Sequence, residues 1–278
     1  MTRLLATDDA KVRSAVTGPT MTDQPQREDP IGDRYFKPLE TAESWLSRLF
    51  YASALLSFCT LLLDKKDWPA TYDLVQILFA LAVIVLFMLG LAIRLYWTPR
   101  AEDQRRLDLL SNAHRIPLTH EKTVGYYNNE QADPIKRLGA IILENSHFTR
   151  AIGLEMCRNE RLKVSGYVLA FLIAILYRQT DLAVASAAAQ AVFSEQLLSR
   201  WFRLEWLRHR SDTTYNNLYS LFQAAPPKAT MNVKVLEIFA FYETSKANAG
   251  IMLSGKIFSK LNPSLSAEWD RIKTTLKL

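Results

Sequence analysis

The stretch LVQILFALAVIVLFMLGLAI, Leu74 to Ile93, holds twenty residues without a formal charge. At 1.5 Å per residue a helix of this length matches a hydrocarbon layer of ~30 Å. It ends in RLYW, where Arg94, Tyr96 and Trp97 form the basic and aromatic edge that suits lipid headgroups. A membrane-crossing helix is therefore the first expectation.

An earlier block, SWLSRLFYASALLSFCTLLL from Ser44 to Leu63, precedes it. Arg48 near its start is placed to reach the interface with its long side chain. The connector DKKDWPATYD joins the two blocks, so residues 44–97 are expected to form one transmembrane hairpin. A third block, VSGYVLAFLIAILY from Val164 to Tyr177, is followed at once by RQTD and then by DLAVASAAAQAVFSEQLLSR, Asp181 to Arg200. This pair reads as a second hairpin over 163–198. It is a second spanning pair if the first two blocks span; taken alone, the short third block suits a buried helix as well. Together these features predict an all-α polytopic membrane protein with four transmembrane helices in two hairpins.

The remaining segments are polar. Residues 1–43, rich in Thr, Asp, Gln and Pro near the start, are expected to be a flexible tail without a secretory signal. Residues 98–162 are expected to be a helical region in which AEDQRRLDLLSNAHRIPL stops at Pro117 and a new helix starts at Pro134. From there Ile135, Leu138, Ile142, Phe148, Ile152 and Met156 share one stripe, with Asn145 on it as a buried amide. Residues 199–278 are expected to be a helical tail, broken at APPK (225–228), whose last helix opens at Asn262 and Pro263.

Charge sets the expected orientation. Lys and Arg number 6 before Ser44, 11 between Pro99 and Lys163 and 12 after Leu198, together 29 of the 34 in the chain. Basic segments stay on the cytoplasmic side, so both termini and the central region are expected inside. Only two tight turns would be exported. The two cysteines, Cys59 and Cys157, match no disulfide or metal spacing.

Within Asp181 to Arg200, Ser186, Gln190 and Ser194 step by four residues and drift by about 40° per step, so they share a helix face. Glu195 lies about 100° away from Ser194. One reading is a packing seam in which small residues let backbones approach and Gln190 bonds across the pair. The other is a pore-lining face in an oligomer, with Glu195 as a cation-attracting ring. The basic and aromatic run RWFRLEWLRHR offers Arg200, Arg203, Arg208 and Arg210 to anionic lipid or a nucleotide phosphate, or serves as an interfacial anchor.

Enzyme chemistry finds no support. GxxxxGK[ST], GxGxxG, HExxH, CxxC and GxSxG are all missing. The four histidines sit on polar segments and are expected to be solvated. Glu144 and His147 form a single ExxH pair without a second, so neither a metal nor another cofactor is expected. Nor is nucleic acid an expected partner.

Two stretches carry a resemblance: GYYNNEQADPIKRLGAIILENSHFTRAIG between the hairpins and SLSAEWDRI near the end. With the order of hairpins and polar regions, they resemble the SMODS-associated four-span and SLATT-type membrane effectors of bacterial anti-phage defence. The resemblance implies a homo-oligomer in the bacterial inner membrane that breaches it under cytosolic control, linked to a cytosolic nucleotide-signalling partner. It supplies no catalytic residues. A membrane-anchored scaffold without a pore is the alternative expectation.

Overall fold

The computed structural model describes residues 28–127, 129, 131–176 and 195–278. The described residues form six helices and no strand. Helix α1 spans Lys37–Leu62 behind a π-turn at Gly32–Phe36, and α2 spans Pro69–His114. Helix α3 spans Pro134–Leu176; α4 spans Arg200–Ala224 behind a π-turn at Glu195–Ser199. Helices α5, Lys228–Ala249, and α6, Gly255–Leu276, complete the fold.

The prolines explain how the first two rods are built. A proline inside a helix removes one hydrogen bond and crowds the turn before it. Pro38 and Pro99 both follow a π-turn directly: the Lys37 N–H donates to Gly32 O, and the Thr98 N–H donates to Ile93 O. The wider turn relieves the crowding, and each rod runs on through its proline. The apolar segment and the amphipathic segment after Arg100 are consequently one helix of 46 residues.

Helix ends follow local rules. Asp133 Oδ1 accepts hydrogen bonds from the Ile135 and Lys136 N–H groups and caps α3. Arg115, Ala225 and Gly250 close α2, α4 and α5 in the left-handed region, and Pro117 and Pro226 lie just beyond the first two. The last helix departs from expectation. It opens at Ser254, whose Oγ accepts from the Ile257 N–H, so Asn262 is no cap and Pro263 lies inside the rod. Burial overrides the proline cost here, because Ile257, Phe258 and Leu261 pack against Ile152, Met156, Cys157 and Leu204.

The main core gathers the first part of α3 with α4, α5, α6 and the end of α2. Leu138 and Ile141 to Leu143 pack against Leu218, Phe222, Val235, Tyr242 and Trp269, and against Leu109 and Ala113 of α2. Each such buried side chain contributes about 1.5–3 kcal/mol. Residues 98–162 and 199–278, separate regions by sequence, thus make one helical body. A second cluster, Leu39, Ala42 and Leu46 with Ile93, Ala101 and Met252, fastens α1 and α2 to it.

Two further expectations are corrected. Residues 28–43 are not a free tail: Ile31 is buried, Glu28 and Val124 exchange backbone hydrogen bonds, and the helix starts by Gly32. Residues 1–27 lie outside the described residues. His147 is not solvated but buried, its ring edge-on to Phe148 and tilted against Tyr215, because the α3 stripe that carries it turns into the core.

Apolar surface accumulates away from this body. Leu74, Ile77, Leu81, Ile84, Phe87 and Met88 on α2 are exposed, as are Leu55 and Phe58 on α1 and Leu169, Leu172, Ile173 and Leu176 on α3. Among the described residues one helix, α2, is long and apolar enough to cross a membrane, and none of its apolar window is buried. The four spans expected from sequence are thus not confirmed: among the described residues α2 alone qualifies, and most of the second hairpin, residues 177–194, lies outside them. Arg48 and the hydroxyls of Ser44, Ser47, Ser53 and Ser57 dilute α1, and the described part of α3 ends at Leu176.

A candidate ligand cavity at the base of the apolar hairpin

A partly open cavity of about 360 Å³ lies where the α1–α2 pair meets the helical body. Its walls come from the approach to α1, from α2 and the loop after it, from α3, α4 and α5, and from the 251–253 connection and α6. Asp29 and Phe36 come from the approach to α1, Glu102 and Arg105 from α2, and Tyr126 from the following loop. Helix α3 presents Glu144, Asn145, Phe148, Thr149 and Ile152, which are spaced three or four apart or adjacent and so share a face. Helix α5 adds Tyr242 and Lys246, and α6 adds Gly255, Phe258, Asn262 and Ser266. The size falls within the range of small-molecule sites, as does the mixture of aromatic faces with a few polar groups.

The two basic side chains of the wall are engaged. Arg105 Nη2 lies 2.8 Å from Asp29 Oδ2, and the guanidinium sits 4.4 Å from the Tyr126 ring and 5.3 Å from the Phe36 ring. Asp29 Oδ1 also accepts from the Gly32 N–H at 2.8 Å. A Cβ at position 32 would meet Asp29 Oδ2 at 2.6 Å, so any other residue there would push the Asp29 carboxylate out of this arrangement. Lys246 Nζ lies 2.7 Å from Glu102 Oε2 and 3.3 Å from Glu243 Oε1. Burial alone would lower the Lys246 ammonium, but Glu102 and Glu243 outweigh it and hold the group above the usual lysine range. Beside it the Tyr242 hydroxyl, 3.1 Å from Thr149 Oγ1, is pushed up to about 12 by burial.

The α3 and α6 walls hold polar groups with spare capacity. Among the described residues the Asn145 carboxamide makes no hydrogen bond. Asn262 accepts from Ser266 Oγ through its Oδ1 at 3.3 Å. The Phe148 and Phe258 rings face each other across the helix pair, with centroids 6.0 Å apart and planes inclined by 38°.

The residues singled out by sequence lie elsewhere. Ser186, Gln190 and Ser194 fall outside the described residues. Glu195 opens the π-turn before α4. The four arginines of RWFRLEWLRHR do not converge. Arg200 lies 3.5 Å from Glu43 of α1. Arg203 approaches Gly250 and adds its charge near Glu43. Arg208 pairs with Glu205 on its own helix. Arg210 donates to Ser245 Oγ and lies 3.5 Å from the centre of the Phe241 ring. This run therefore knits α4 to α1 and α5. Glu144 and His147 are both buried, yet no group of three His, Cys, Asp or Glu side chains among the described residues is placed to hold a metal.

Sequence reasoning named Asn145 as a buried amide but did not reach the cavity. An amide on an otherwise apolar stripe was the available signal. The partners from α2, α5 and α6 carry no local pattern.

Comparison of the chain with known protein families, curated proteins and solved structures finds no match.

Proposed function

We propose that the chain is an oligomeric effector of the bacterial inner membrane that permeabilises it under cytosolic control. One observation carries the reading: the cavity touches α2 and the π-turn that leads directly into α1. Phe36 and Asp29 lead into α1, while Glu102 and Arg105 lie on the same unbroken rod as the unburied apolar segment Leu74 to Ala92. A molecule bound there changes contacts on both rods at once, and a two-state shift of the hairpin would follow from its differential affinity. In this reading Trp45 and Arg48 on α1, with Tyr96 and Trp97 on α2, sit at headgroup level; the Arg48 guanidinium lies 5.1 Å from the Trp45 ring. Both termini are cytoplasmic, and membrane lipid covers the exposed apolar surface.

In the oligomer, Ser186, Gln190, Ser194 and Glu195 line the conducting path. The chain acts without catalysis, and its trigger arrives from a cytosolic nucleotide-signalling partner or as a small ligand. The resemblance of two stretches to SMODS-associated four-span effectors supports this choice over other membrane functions. The second reading, a membrane-anchored scaffold, draws on Val233 and Leu236. These two large apolar side chains are exposed three residues apart on α5 and offer a cytosolic partner a small docking patch.

Controlled expression with a membrane-potential dye tests the proposal. Depolarisation is expected from the wild type and from neither Gln190→Leu nor Glu195→Ala. Asn145→Trp, which fills the cavity, is expected to fix the response in one state, either silent or constitutive. Unaltered depolarisation in all three variants sinks the reading. A chain that brings down defined cytosolic proteins and leaves liposomes tight is the scaffold.

A further inference from the structure

The walls of the cavity show what kind of molecule it is built to hold. Three carboxylates, Asp29, Glu102 and Glu144, line it against two cations, Arg105 and Lys246. Glu243 adds a fourth carboxylate behind Lys246. Both cations are matched by these acids, and Arg105 Nη1, which has no hydrogen-bond partner among the described residues, is fully covered. An incoming phosphate or carboxylate would have to displace Asp29 or Glu102 and would meet net negative charge. Anion recognition is thereby disfavoured by charge and by access.

The α3 and α6 walls form a graded slot. Along α3, Glu144, Phe148 and Ile152 follow one another at four-residue steps on one face. Helix α6 runs the other way: Ser266 and Asn262 lie towards the Glu144 end, and Phe258 lies beside Phe148 and Ile152. One end thus carries a carboxylate and two carboxamides, the middle an inclined pair of phenyl rings, and the far end aliphatic groups with Ile251 and Leu253. Phenyl faces attract cations through their quadrupoles, carboxamide oxygens accept from N–H donors, and aliphatic walls take an apolar body. The Arg105 guanidinium between Phe36 and Tyr126 shows the same pairing of cation and rings on the opposite wall.

We propose that the cavity binds a small organic cation, an alkyl- or arylammonium. Its charged head lies between Glu144, Asn145 and the Phe148–Phe258 pair, and its apolar body lies towards Ile152. This names the ligand class for the sensing role proposed above and rests on that role only for its consequence, not for the binding itself. The volume of about 360 Å³ accommodates a head group with a single ring or a short chain.

Thermal midpoints of the full chain in detergent test the idea, with four probes: benzyltrimethylammonium, benzenesulfonate, benzyl alcohol and adenosine monophosphate. The ammonium is expected to raise the midpoint saturably and the other three to leave it in place. Glu144→Gln and Phe258→Leu are each expected to weaken the ammonium about tenfold. Asn145→Asp, which adds a carboxylate to the same end, is expected to strengthen it, so the proposal stays testable should Phe258→Leu misfold. A midpoint raised as much by benzenesulfonate or adenosine monophosphate overturns the assignment, as does a wild-type ammonium response in all three variants. Vesicle leakage, measured in parallel, separates the two levels. Saturable ammonium binding without leakage removes the effector reading and keeps the site. Leakage altered by Asn145→Trp without ammonium binding does the reverse.

Discussion

Lys246 Nζ of α5 lies 2.7 Å from Glu102 Oε2 of α2, at the level where the long helix passes from its apolar segment into the helical body. Glu243 holds the same ammonium at 3.3 Å. The contact ties the base of the apolar pair to the core through a mostly buried ion pair. Two carboxylates share one cation there, so removing the cation leaves both without their partner.

Lys246→Met is therefore expected to cost about 2–3 kcal/mol, and Glu102→Gln less, since Glu243 remains. At this chain length the first change corresponds to a midpoint lower by roughly 5–10 °C. The raised Lys246 ammonium contributes stability that is complete below the ordinary lysine value of 10.5 and is lost only as pH rises through its higher folded value. Thermal midpoints of the wild type should accordingly hold from pH 7 to pH 9, and the deficit of Lys246→Met should be constant across that window.

Two glycines of α3 should respond to alanine with opposite sign. At Gly139 a Cβ would meet Phe222 Cζ at 2.9 Å and Val235 Cγ2 at 3.1 Å, inside the main core. The crowding costs about 1–3 kcal/mol and outweighs a helix-propensity gain of about 1 kcal/mol. At Gly153 the nearest atom is Arg208 Cβ at 3.5 Å, an ordinary contact. Gly153→Ala should thus raise the thermal midpoint and Gly139→Ala lower it. A lower midpoint for both would mean that α3 and α4 pack more closely at Gly153 than described.

Glu205 predicts an acid-sensitive step. The Arg161 guanidinium donates to its carboxylate from α3, the Trp201 indole adds a hydrogen bond at 3.2 Å, and together they hold it at about 2 against the opposing effect of burial. A depressed carboxylate contributes stability that is present above its unfolded value of 4.5 and is lost as pH falls towards 2. Because the Arg161 side chain is half exposed and the pair is screened by water, the wild type should lose about 2 kcal/mol across that window, less than the full shift would give. Glu205→Gln should start lower at pH 7 and lack this step. An identical acid profile in the two proteins would separate Glu205 from the α3–α4 contact.

Much of the architecture was legible locally. The charge-free run from Leu74 to Ile93 announced a helix with no water-compatible face, and the structure leaves all of it but Ile93 unburied. Pro134, Pro117 and Ala225-Pro226-Pro227 marked helix ends because backbone geometry and missing N–H groups act within one turn. Pro263 misled for the same reason, and Pro99 too is carried through a helix. Whether a proline ends a helix or is carried through depends on a π-turn at Ile93–Trp97 in one case and on the packing of Phe258 and Leu261 in the other.

By itself the sequence determined the helical class, the position of the lipid-compatible rod and most of the breaks between helices, since these follow from nearest neighbours and from the period of 3.6 residues. Tertiary structure alone decided that Asp29, Arg105, Asn145, Lys246 and Phe258 share one cavity, that His147 is covered, and that Arg200 and Arg210 turn to Glu43 and Ser245. The reason is physical. A cavity is the space that helices fail to fill when their apolar faces meet, and that space is fixed by contacts between residues more than a hundred positions apart.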